Sequence, residues 1–139
     1  MNIKNIKVGD IIAFRRRFYK HYALYIGNDQ VIHRDNDGLF SKHKSKVKIT
    51  NIYDVPGIPI IDNESYSNLK KIPTEITLNL ALSHLDDEGD YNLFLNNCEH
   101  FVTNIKFNIK VSKQIKRIRK IGLFTFLCIV GLIRMNLKK

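Results

Sequence analysis

The chain has 139 residues, 44% hydrophobic and 26% charged, with 7 Gly, 3 Pro and 2 Cys. That is one domain with enough apolar residues for a core, which excludes wholesale disorder, collagen-like repeats, a disulfide-stapled scaffold and a multi-cysteine zinc finger. The net charge of +10 points first to nucleic acid, but residues 1–105 hold 13 Lys/Arg and all 13 Asp/Glu, so the whole excess lies in residues 106–139.

Val8-Gly9-Asp10 is a turn signal ahead of Ile11–Phe14, an apolar run that reads as a strand. Arg15, Arg16 and Arg17 read as a solvated loop. His21–Ile26 (HYALYI) and Gln30–His33 (QVIH) flank Gly27-Asn28-Asp29, which predicts strand, tight turn, strand. Val47–Tyr53 alternates loosely and predicts a fourth strand, broken by Pro56-Gly57-Ile58-Pro59. Residues 62–72 read as polar loop. Pro73 suits a helix start, with the helix over Glu75–Leu85. Asp86–Asp90 is an acidic turn without the regular ligand spacing of an EF-hand. A further helix begins near Asn97, with Phe101, Val102, Ile105 and Ile109 on its buried face. Strands first and helices after predict an α+β class with a small antiparallel sheet packed with helices.

Two groups of residues have the chemistry of a nucleophile and its base. Asn96 and Asn97 are N-cap types, so Cys98 falls in a first helical turn. Unpaired backbone N–H groups and the positive helix end favour thiolate there, although Glu99 opposes this if it faces the sulfur, and an inert core cysteine fits the same position. His21 and His33 stand at strand ends on either side of the turn. Paired as a hairpin, they bring two imidazoles together, one to deprotonate Cys98 and the other to orient the first; surface or core roles remain the alternative. Tyr19 is placed to aim a hydroxyl at a developing oxyanion. His100 suits a structural hydrogen bond, and His43 a solvated position. A zinc site from Cys98, His21 and His33 lacks the usual CxxC or HxxxH spacing, so no metal is expected.

The tail has a different character. Seven cations lie in 106–120, followed by the uncharged run Ile121–Ile133 (IGLFTFLCIVGLI) and then by Arg134, Lys138 and Lys139. Thirteen helical residues reach about 20 Å, short of a hydrocarbon core of about 30 Å, so the run either spans a thinned bilayer with snorkelling cations or lies in the interface. A core helix is the alternative. The flanking charges favour a cytosolic domain, and Met1–Asp10 has no apolar stretch of signal-peptide length. Cys128 reads as a packing residue within the run.

Two motifs, Gly9–His33 (GDII…FYKHYALYIGNDQVIH) and Tyr91–Val102 (YNLFLNNCEHFV), resemble the lecithin:retinol acyltransferase-like (LRAT domain) family and its phospholipase A/acyltransferase branch over roughly residues 8–110. The resemblance implies a permuted NlpC/papain-like fold at 1–110, followed by a basic linker and C-terminal hydrophobic membrane-anchor helix at 111–139. It implies Cys98 as nucleophile, His21 as general base, His33 as the orienting third member and Tyr19 beside the active site, with no cofactor. Tyr22 stands where the family often has Trp. Asp35–Pro73 is not recognisably similar and is expected to shape the acyl pocket. The implied reaction is a thiol-dependent phospholipase A1/A2 and acyltransferase cycle on glycerophospholipids through an acyl-thioester, at the cytosolic face of an intracellular membrane. A thiol peptidase or amidase, and a non-catalytic membrane adaptor, compete with it. Nucleic acid is not an expected partner, because residues 1–105 are neutral. A chain ending near Ile109 is expected to be soluble.

Overall fold

The computed structural model describes residues 5–35, 44–90 and 97–136, and for Lys44, Asp90 and residues 126–136 the backbone alone. His43 and the Tyr91–Asn96 part of the second motif lie outside the described residues. The elements run β1 (Ile11–Arg15), β2 (Lys20–Gly27), β3 (Gln30–Asp35), β4 (Lys44–Asn51), β5 (Ile58–Ile61), a 3-10 turn (Glu64–Tyr66), α1 (Thr74–Ser83), β6 (Glu88–Asp90), α2 (Cys98–Phe107) and α3 (Lys113–Asn136). The strands form one six-stranded sheet in the order β5-β1-β2-β3-β4-β6, antiparallel at every pairing. The expected α+β architecture is present.

β1, β2 and β3 read as near-continuous apolar runs because both their faces are covered. On one face Ile11, Ala13, Tyr22, Leu24 and Ile32 pack against Ala81 of α1 and Phe101, Val102 and Ile105 of α2. On the other, Ile12, Phe14, Ala23, Tyr25 and Val31 are covered by Ile52 and Val55. The alternation is the strand pleat: neighbours along the chain leave opposite faces. The β2–β3 turn uses Gly27, Asn28 and Asp29 with φ of 101°, 50° and 56°. Left-handed residues of these types match the twist of a tight hairpin.

Three elements depart from the sequence reading. Ile58–Ile61 is a strand on the sheet edge, where Pro59 is tolerated because an edge position does not need its N–H in a ladder. Residues 62–72 contain the 3-10 turn that carries Tyr66, which is fully buried. Within the acidic stretch, Glu88–Asp90 pairs with β4. The contacts that order all three are distant in sequence, so local composition does not reveal them.

The second part of the basic segment, from Lys113, and the apolar run form one continuous helix, α3, of 24 residues. Among the described residues no helix is long and apolar enough to cross a membrane. The first turn of α3 belongs to the domain: Ser112 and Ile115 are buried, whereas Ile118, Ile121, Leu123 and Phe124 are exposed.

Candidate active site

The hairpin brings the two histidines into contact. Leu24 stands opposite Ile32, and toward the open end of that ladder His21 Nε2 lies 2.8 Å from His33 Nδ1. The rings meet edge to face at 4.9 Å between centroids. His33 Nε2 is 3.1 Å from Thr50 Oγ1 on β4, so His33 is held at both nitrogens. His21 Nδ1 makes no hydrogen bond among the described residues. Burial lowers the His21 pKa to about 3, helped by His33 and the Arg16 charge. Burial likewise lowers His33 to about 4, with Asp35 pulling the other way. Both rings are therefore neutral at pH 7, and one proton bridges Nε2 and Nδ1.

Cys98 opens α2. Asn97 is the N-cap in extended conformation, its side chain accepting from His100 N at 2.9 Å. His100 Nδ1 accepts from Asn97 N at 3.4 Å, closing a reciprocal capping box in which histidine does the work more often done by Glu. His100 thus has the structural bond expected of it. Cys98 is only 3% exposed and shares a cluster with Tyr22. The β2 backbone at Tyr22 hydrogen-bonds the sulfur, one residue from His21. The pleat sends the His21 and Tyr22 side chains to opposite faces. The thiol therefore lies on the helix side and the imidazole pair on the other, and among the described residues Cys98 makes no hydrogen bond to either ring.

The expectation of a resting thiolate is corrected. Burial pushes the Cys98 thiol up to about 11, and Glu99 adds to the rise. The backbone bonds at Tyr22 and Glu99, and the Arg16 charge, oppose it but do not win. Desolvating a full negative charge outweighs a few partial positive charges.

Glu99 does not point an acceptor at the sulfur. It is fully buried and takes the Tyr66 hydroxyl at 2.6 Å, the Ser112 hydroxyl, and the backbone N–H of Lys113 at 2.7 Å. A carboxylate at the unpaired N–H groups of α3 serves as its cap. Gln114 completes the junction by accepting from Lys20 N at 2.8 Å and donating to Lys20 O at 3.0 Å. The start of α3 is thereby fastened beside the residue that precedes His21.

Arg16 is the functional candidate that sequence reading missed. It is not a solvated loop residue: Nε donates to Pro56 O at 3.1 Å, Nη1 donates to Tyr19 Oη at 2.5 Å, and the guanidinium lies 5.3 Å from the Tyr19 ring centroid. Its charge favours Cys98 thiolate and disfavours imidazolium at both histidines. Nothing in three consecutive arginines marks the middle one; the β5 turn that receives it does.

A cavity of about 750 Å³ opens at this corner, with Cys98, Asn97, Tyr19 and Tyr22 at its base. Its apolar wall is Ile115, Ile118 and Ile121 of α3 together with Phe18. Of the Asp35–Pro73 segment expected to shape it, Ser65 is the described residue that lines it, and α3 supplies the wall instead. His21, His33 and Asp35 place ligand-type atoms within 4.8 Å of one another. The imidazoles bond each other through His21 Nε2 and His33 Nδ1, and Asp35 pairs with Lys48 at 2.5 Å, so a metal taking those atoms would displace both arrangements.

The α+β domain thus carries a bonded imidazole pair on its antiparallel sheet and a cysteine in the first turn of the helix packed against the sheet's other face. Residues 4–111 match the family described as lecithin retinol acyltransferase, and the chain belongs to that family. It is similar to phospholipase A and acyltransferase 1 of Rattus norvegicus (36% identical, covering 86% of this chain and 83% of the relative) and of Homo sapiens (33%, with the same coverage). Phospholipase A and acyltransferase 4 of Homo sapiens is 29% identical, covering 89% of this chain and 84% of the relative.

Proposed function

We propose that the protein is a thiol-dependent phospholipase A1/A2 and acyltransferase acting on glycerophospholipids, with Cys98 as nucleophile, His21 as general base and His33 as the residue that holds His21. The observation that carries this is the 2.8 Å His21–His33 bond, next to the β2 residue whose backbone meets Cys98. The unbonded Nδ1 of His21 takes the Cys98 proton as the sulfur attacks an ester carbonyl, a contact that the substrate complex must close because the resting structure does not make it. Thiol and imidazole are both neutral at rest, so proton transfer accompanies attack rather than preceding it. The C–O bond to the glycerol oxygen breaks, that oxygen takes the proton from His21, and lysophospholipid leaves an acyl-thioester on Cys98. Water then yields a fatty acid, or an acceptor amine yields an N-acyl lipid. Tyr19 and Arg16, bonded at 2.5 Å, offer a hydroxyl polarised by a cation to the developing oxyanion.

Residues 1–110 serve as the catalytic domain and 111–139 as the membrane-attaching segment, at the cytosolic face of an intracellular membrane. α3 joins five cations, Lys113, Lys116, Arg117, Arg119 and Lys120, to an apolar run without a span-length apolar stretch, which favours lying in the interface. Incubation with labelled phosphatidylcholine, with and without phosphatidylethanolamine, tests the reaction. Fatty-acid release that is lost in Cys98→Ala, with an acyl adduct on Cys98 by mass spectrometry, supports it. Wild-type release by Cys98→Ala rejects it.

The non-catalytic adaptor reading draws on one observation, the buried and protonated Cys98. Cellular effects that survive Cys98→Ala would favour it. The peptidase or amidase reading gives no reason for a basic, apolar tail, and a paired assay on lipid and peptide substrates separates it from the lipid reading.

A further inference from the structure

Among the described residues the cavity is lined by six cations, Arg15, Arg16, Arg17, Lys20, Lys113 and Arg117, and by no acidic residue. Three of the six are hydrogen-bonded or ion-paired, and Arg17 lies over the Phe18 ring at 5.2 Å. Arg16 is bonded to Pro56 and Tyr19, Lys20 pairs with Asp62 at 3.1 Å, and Lys113 reaches Ser65 O. Arg15, Arg17 and Arg117 are exposed and have no carboxylate partner among the described residues. The Asp62 carboxylate is taken by Lys20 and the Tyr22 hydroxyl, and Glu99 is buried and saturated by donors from Tyr66 and the start of α3. Like-charged side chains gathered round one opening repel each other, and a site that keeps them together without a counter-charge suits an anionic ligand. The same opening has the apolar wall of Ile118, Ile121 and Phe18, with Phe18 83% exposed. A ligand that matches both halves carries a net negative headgroup on an acyl chain.

We infer that this cavity selects anionic glycerophospholipids, such as phosphatidylglycerol or phosphatidylserine, over zwitterionic ones, with Arg15, Arg17 and Arg117 holding the headgroup and the α3 isoleucines the chain. The inference rests on the lipid-cleaving reading for its substrate, but not for the binding itself. A free headgroup phosphate and a charged bilayer surface offer the same negative charge, so the measurement must separate molecule from surface.

The test uses the full chain and short-chain lipids dispersed as monomers below their micelle threshold. Cleavage of dihexanoyl-phosphatidylglycerol and dihexanoyl-phosphatidylcholine is compared as kcat/KM, and binding of each to Cys98→Ala is followed by calorimetry. Glycerol phosphate serves as the headgroup without a chain. The expected preference for the anionic lipid is about tenfold in both readouts, the factor one charge-assisted contact supplies, and it should shrink as salt is raised. In Arg15→Gln/Arg17→Gln/Arg117→Gln the ratio should fall toward unity, with the melting temperature reporting that the three exposed changes leave the fold in place. Equal binding of the two lipids by wild type overturns the inference, as does a preference that the triple variant keeps. Glycerol phosphate bound as tightly as the lipid also overturns it, because the apolar wall would then contribute nothing. If neither lipid is cleaved while the anionic one still binds preferentially, the selection stands and the enzymatic reading falls.

Discussion

His21 and His33 show how burial decides what a residue can do at rest. Each imidazole is 3% exposed or less and carries a pKa far below 6.5. A histidine whose folded pKa is lowered contributes stability above its unfolded pKa and loses it as pH falls toward the folded value. The window here runs from pH 6.5 down to about 3. The thermal midpoint should therefore drop steeply across it, and His21→Gln should flatten the slope; an unchanged slope in that variant would show that other groups cause the acid sensitivity. Cys98 makes the matching prediction from the other side. With its thiol pushed up to about 11, alkylation by iodoacetamide should be slow at pH 7 and climb with pH, and a rate that plateaus near neutrality would reveal a resting thiolate instead. If His21 is the base, His21→Gln should lower turnover by about 10²–10⁴ with a smaller change in KM, read from initial rates.

At the scale of elements, the junction between α2 and α3 governs the site. Glu99 is a residue of α2 that caps α3, and Gln114 is a residue of α3 that bonds the start of β2. Removing the carboxylate in Glu99→Ala leaves the Tyr66 hydroxyl and the Lys113 N–H buried without their acceptor, at a cost of about 1–3 kcal/mol for each orphaned group. Urea unfolding should show that loss, and Glu99→Gln should recover part of it. The same geometry revises the expectation for a shortened chain. Ending near Ile109 deletes Ser112, Lys113 and Gln114 and strands Glu99 in the core, so that chain should be poorly stable rather than simply soluble. A chain ending at Lys120 keeps the junction and should melt close to the full-length protein. Equal melting temperatures for the two would show that the junction carries no weight. Gly9 is a second constraint at this scale. Its φ is +88° and an added Cβ would lie 2.9 Å from Thr74 Cγ2, so Gly9→Ala strains both the turn before β1 and the start of α1.

Over the whole molecule, charge and apolar surface are divided in a way that matches the proposed work at a lipid surface. Residues 1–105 are neutral and hold the sheet, the histidines and Cys98, whereas the tail carries the entire +10. Each cation near an anionic leaflet contributes about 1 kcal/mol, so binding to vesicles containing phosphatidylserine should exceed binding to pure phosphatidylcholine and weaken with salt. Sedimentation with vesicles checks this, and salt-independent binding would assign the attachment to the apolar run alone.

The hairpin at residues 20–35, the capped start of α2 and the isolation of positive charge in the tail were all determined by sequence alone. Each is a local matter of turn residues, N-cap chemistry or counting charge. β5, Tyr66, the roles of Glu99 and Arg16, and the wall of the cavity were decided by tertiary structure, because each depends on a partner distant in sequence or, for Glu99, also on a helix that begins only after α2 has ended. The protonation of Cys98 belongs to the second group as well. A helix terminus is visible in the chain, but the burial that outweighs its field exists only once the sheet has closed over the sulfur.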